Sequence, residues 1–127
     1  MEFITPQEVL MGRDAEYPLT DEMRSNLSKL LQALNQFRAY YGKPMYVTSG
    51  YRPGKYNEAA GGARKSNHMV CLACDFRDAD GQLDKWCMDN PGILEKCGLY
   101  QEHPDSTPGW CHLQAVSPAS GARVFRP

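Results

Sequence analysis

Histidine is scarce in this 127-residue chain, occurring only at positions 68, 103 and 112, and two of the three lie beside or within runs of strand-forming residues. In "KSNHMVCLACDF", residues 65 to 76, His68 stands seven positions ahead of Asp75, with Cys71 and Cys74 between them. A turn or bulge would bring this imidazole and carboxylate to one metal ion. His112, in "WCHLQ", falls inside a second strand-like run where Trp110, His112 and Gln114 share one face and Cys111 and Leu113 the other. Two imidazoles and one carboxylate, with a fourth position left to water, form the ligand set of a catalytic zinc; closure by four protein ligands would make the site structural. The same segment carries a rival, because Cys71-x-x-Cys74 is half of a zinc knuckle that Cys87 and Cys97 could complete. Against the rival, Cys87 and Cys97 are not themselves paired as C-x-x-C, and Cys74 points off the Asp75 face of a strand. Redox chemistry at the C-x-x-C lacks the βαβ context that supports it. Asp78, Asp80 and Gly81 resemble the start of a calcium loop, but no glutamate follows at the required spacing, so they read as a turn.

The elements around these residues must position them. Thr5-Pro6 starts a short helical turn in an N-terminal arm, residues 1 to 19. Thr20 then caps a helix over about 20 to 41, with Asp21 and Glu22 in the first turn, Met23, Leu27, Leu30, Leu31, Leu34 and Phe37 at helical spacing, and Gly42 as the stop. "MYVTSGY" reads as a strand running into a turn at "RPGKYN". "YNEAAGGARKSNH" is a short helix or loop ending at Gly61-Gly62. "LACDF" is the next strand, followed by helices over about 82 to 90 and in "PGILEKC", the latter broken by Gly98. "LYQE" and "WCHLQAV", separated by the turn formers of "HPDSTPG", form an antiparallel hairpin, and Val124-Phe125 adds an edge strand. In that hairpin Glu102 lies opposite His112, about 5 Å away. A carboxylate there is the natural general base for a water-activating zinc peptidase. The expected architecture is α+β, a small antiparallel sheet with flanking helices in one domain spanning 1 to 127.

Composition narrows the partners. Formal charge is -1, from 14 basic and 15 acidic residues, so no overall field draws in nucleic acid or an anionic membrane. No run of about 18 apolar residues exists, and the acidic, proline-broken N-terminus lacks the layout of a secretory signal, which implies synthesis in the cytosol and no membrane insertion. Five cysteines are an odd number, suited to a reducing compartment and to service as small buried hydrophobes.

"SNHMVCLACD", Ser66 to Asp75, resembles the S-x-H-x-x-G-x-A-x-D signature of zinc D-Ala-D-Ala carboxypeptidases and related peptidoglycan peptidases, which share a fold with the Hedgehog signalling domain. "SGYRP" upstream and "WCHLQ" downstream match the same family in the same order. From "MGRD" to "RVFRP" the layout is similar to small phage and prophage members. The resemblance implies one zinc ion on His68, Asp75 and His112, Arg52 gripping a substrate carboxylate through its guanidinium fork, and Ser66 bonding the substrate or orienting the ligand loop. Trp110 would line the substrate groove. Two positions depart from the pattern: the signature glycine is Cys71, and the base that the best-known members keep three residues before the last histidine is replaced by Gly109. Glu102 would then serve from the neighbouring strand, as in the smaller phage-type members, with His103 as alternative base or oxyanion stabiliser.

The expected function is therefore a zinc metallopeptidase, endolysin-like or a carboxypeptidase, acting as a monomer on peptidoglycan stem peptides of the cell wall. The alternative is a zinc-bearing module that binds peptidoglycan, or a virion component, without cutting.

Overall fold

The computed structural model describes residues 3–61 and 65–127. Thr5 opens α1 (Pro6–Leu10) with a capping box: its hydroxyl accepts the Glu8 N–H at 3.2 Å while the Glu8 carboxylate accepts the Thr5 N–H at 3.2 Å. α2 (Asp21–Tyr41) starts where expected, the Thr20 hydroxyl accepting the Met23 N–H at 3.1 Å, and stops at Gly42, whose φ of 75° is left-handed. Its buried stripe of Leu27, Leu30, Leu34 and Phe37 is the helix's main contribution to the core, each side chain contributing about 1.5–3 kcal/mol on burial.

The sheet is built from β1 (Val47–Ser49), β2 (Ala73–Arg77), β3 (Tyr100–Glu102), β4 (Trp110–Gln114) and β5 (Val124–Phe125), in the spatial order β1-β2-β4-β3-β5. Between them lie α3 (Gly54–Ala59), α4 (Gln82–Asp89) and α5 (Pro91–Cys97). The break expected at Gly61-Gly62 falls partly outside the described residues, since 62 is not among them. β1, β2, β4 and β3 pair antiparallel as expected, but β3 and β5 are parallel, Gln101 pairing with Val124 and Glu102 with Phe125. The sheet is therefore mixed. β4 ends beside Tyr100, the start of β3, so a chain returning from there along the outer edge runs with β3 rather than against it.

β2 is paired on both sides, and its residues from Ala73 to Phe76 are buried. Alternation then sorts the two faces. Cys74, Phe76, Cys111 and Leu113 join the core beneath the helices, and Asp75 and His112, directly paired across the ladder, look out on the other side. All five cysteines are buried free thiols in that core. Asp78 and Asp80 form the turn before α4, the Asp78 carboxylate accepting the N–H groups of Leu83 and Asp84 at 2.8 Å each. Among the described residues no helix is long and apolar enough to cross a membrane.

Candidate metal centre

His68 sits in a short 3-10 turn, Asn67–Val70, that leads into β2. The Ser66 hydroxyl caps this turn by accepting the His68 N–H at 3.1 Å, and the His68 carbonyl accepts the Arg52 N–H at 3.0 Å. The turn ends at Cys71 with φ 63° and ψ 34°. Cys71, at the signature's glycine, thus holds a left-handed backbone that glycine adopts freely and an L side chain adopts at a cost. The left-handed backbone at this position accounts for the glycine of the signature.

The His68 ring is set by the main chain. Its Nδ1 lies 2.9 Å from the Gly50 carbonyl, which can only accept, so Nδ1 carries the hydrogen and Nε2 faces Asp75 Oδ1 at 3.3 Å. Gly50 follows β1, where a bulge between Val47 and Ser49 brings Ser49 opposite Asp75. A Cβ at Gly50 would overlap the Val9 carbonyl, which accepts the Tyr51 N–H at 2.8 Å. Only glycine lets this loop lie against α1 and present its carbonyl to His68.

His112 approaches from β4, with Nδ1 2.8 Å from Asp75 Oδ1 and Nε2 2.8 Å from Gln114 Oε1. The ring centroids of His68 and His112 are 5.2 Å apart. One ligand atom from each of His68, Asp75 and His112 lies within 4.8 Å of the others, and among the described residues these three form the one such cluster of three or more metal-binding side chains. All are buried, at 2%, 5% and 7% exposure, so none of the three is a solvated surface group. The donors fit a divalent metal that accepts nitrogen and oxygen: two imidazoles offering one nitrogen each and a carboxylate between them.

Electrostatics agree with that arrangement. Burial pushes the Asp75 carboxyl up, but hydrogen bonds from His112 and His68 outweigh it and bring the pKa down to about 2. Burial opposes charge on His112, yet the Asp75 carboxylate overcomes it and raises the imidazole pKa above its ordinary value. The Cys71 thiol is pushed up to about 11, chiefly by burial, and Cys74 is raised well above its ordinary value for the same reason. Among the described residues the cysteines form no cluster of three or more metal-binding side chains, which disfavours the cysteine site.

A cleft of ≈ 760 Å³ opens over the cluster, and His68, Asp75, His112, Arg52, Ser66, Glu102 and Trp110 all line it. The pairing of Tyr100 with Gln114 and Gln101 with Leu113, carried one residue further, brings Glu102 opposite His112. Burial raises the Glu102 pKa, against the lowering influence of His112. Arg52 has a buried Nε without a hydrogen-bond partner among the described residues. The four cysteines of the rival site are absent from the cleft lining, and so is His103. Its Nδ1 accepts the Asp105 N–H at 3.1 Å and its Nε2 lies 3.3 Å from Arg126, which ties the ring into the hairpin loop. The Gly50 carbonyl behind His68 and the Gln114 amide behind His112 emerge only in the structure. The alternation that puts Gln114 on the His112 face was the available signal for the second.

Fold and site together define a small α+β domain with a buried His-Asp-His cluster able to hold a metal ion. The sequence profile of the family described as Peptidase M15 matches residues 4–99, and the chain belongs to that family. The match contains Arg52, Ser66, His68 and Asp75, and ends before Glu102 and His112, whose placement comes from the hairpin. No curated protein matches the chain.

Proposed function

We propose that this peptidase is a zinc enzyme that hydrolyses a peptide bond in the stem peptides of bacterial peptidoglycan. The observation that carries the reading is the sharing of Asp75 Oδ1 between His68 Nε2 and His112 Nδ1, at 3.3 and 2.8 Å, in a cleft that Glu102 also lines. One zinc ion held by His68, Asp75 and His112 would supply Lewis-acid polarisation of the scissile carbonyl and ease ionisation of water.

The chain's own residues would do the rest. Arg52, its Nε unpartnered, would bind a substrate carboxylate and fix the peptide's register in the cleft. Glu102 would take a proton from the attacking water as its oxygen bonds to the carbonyl carbon. As the C–N bond breaks, Glu102 would return that proton to the leaving amine. A carboxyl whose pKa burial has raised is better matched to this two-way transfer than a solvated one. Ser66 would act through the ligand loop, where its hydroxyl holds the His68 N–H, and Trp110 would form a wall for substrate. The similarity of the layout to small phage and prophage members supports a lytic setting.

A second reading follows from Gly109. The position where the best-known relatives keep their base is an exposed glycine with φ 85°. If Glu102 does not replace that base, the domain binds zinc and stem peptide without cutting. Zinc-loaded protein and the Glu102→Gln variant, each incubated with purified peptidoglycan and followed by mass spectrometry of released fragments, separate the readings. The enzyme reading expects cleavage by the parent, and a loss of about 10²- to 10⁴-fold in the variant with zinc retained. No fragments from the zinc-loaded parent would leave the binding module, and equal activity of the two would remove Glu102 as base.

A further inference from the structure

We propose that Gln114 is a positioning residue that selects which nitrogen of His112 faces the metal, an inference that rests on the metal-binding reading above. Gln114 lies two residues beyond His112 on β4, hence on the same face of the strand. Its Nε2 donates to the Val116 carbonyl at 2.9 Å. A carbonyl only accepts, so the amide has one orientation: nitrogen to Val116, oxygen to His112. The oxygen, 2.8 Å from His112 Nε2, also only accepts, so Nε2 must carry a hydrogen. Nδ1, 2.8 Å from the Asp75 Oδ1 acceptor, holds the hydrogen that a metal would displace, so it is the nitrogen left to offer a lone pair while Nε2–H stays on Gln114. Gln114 is 3% exposed, so water is poorly placed to take over the contact. The opposite tautomer would set two lone pairs against each other in a buried pocket and leave the amide oxygen without a donor.

The two rings thus present opposite nitrogens to Asp75, Nε2 from His68 and Nδ1 from His112, for one physical reason applied twice. His68 is oriented by a main-chain carbonyl that no substitution removes. His112 is oriented by a side chain, which makes the choice testable.

Gln114→Met keeps the length and burial of the side chain and removes both the fixed acceptor and the bond to Val116. Zinc affinity of the purified full chain, measured by competition with a chromophoric chelator, should fall by about 10- to 100-fold in this variant. In parallel, nitrogen-15 NMR of zinc-loaded parent protein should show His112 protonated at Nε2 and metal-bound at Nδ1, a result that does not depend on any variant folding. The inference is overturned if the variant binds zinc within twofold of the parent, or if parent His112 is protonated at Nδ1. A parent that takes up no zinc would remove the metal reading and this inference together, whereas either of the preceding results removes the inference alone.

Discussion

Replacing Asp75 with Asn should destabilise the metal-free protein by an amount that the local electrostatics set. The carboxyl goes from an ordinary 3.8 to about 2 on folding, and at about 1.36 kcal/mol per pKa unit this is worth about 2–3 kcal/mol to the folded, ionised form. A depressed carboxyl pKa contributes stability that is complete above 3.8 and is lost as pH falls toward about 2. The raised His112 pKa has the opposite sign: its contribution is complete below 6.5 and fades as pH rises through the higher folded value. The two overlap between pH 3.8 and 6.5, so the cost of Asp75→Asn should peak there and shrink on either side. Urea unfolding in excess chelator at about pH 3, 5.5 and 9 measures it, using the linear dependence of stability on denaturant. Equal stability of parent and variant at about pH 5.5, or a penalty that grows toward about pH 9, would show that Asp75 is not stabilised by its two histidines.

Gly50→Ala should cost about 1–3 kcal/mol in thermal or urea unfolding, because its Cβ would overlap the Val9 carbonyl, and it should also weaken metal binding by moving the carbonyl behind His68. Native protein should resist maleimide at neutral pH, since a Cys71 thiol at about 11 is ionised in only about one molecule in 10⁴ and the other cysteines are likewise buried; rapid labelling of folded protein, read by mass spectrometry, would contradict this. Thr107→Val should cost about 1.5–3 kcal/mol, because the buried hydroxyl donates to Asp84 at 2.8 Å, and chemical denaturation would show it.

Local chemistry was legible wherever a residue's partner lay close in sequence. Thr20, Asp21 and Gly42 announce the ends of α2 because caps are formed within a turn of the chain. The hairpin and the approach of Glu102 to His112 follow from two short strands and a turn-rich loop, since antiparallel register is set nearby. The Cys71 conformation stays hidden, because cysteine carries no signal for positive φ. Gly50 was visible only as part of a motif; its necessity comes from contact with Val9 in another element. The parallel β3–β5 pair depends on where β4 ends relative to β3, a property of the assembled sheet. Likewise, nothing in "WCHLQ" alone says which way the Gln114 amide turns, because Val116 decides it only after the chain bends past β4.

On the proposed function, zinc rests on His68, Asp75 and His112 and on no cysteine. X-ray absorption at the zinc edge of the loaded protein reads this ligand set. A first shell of nitrogen and oxygen at about 2.0–2.2 Å, with two imidazole scattering patterns and no sulfur, is the expected result; sulfur scattering at about 2.3 Å would contradict it.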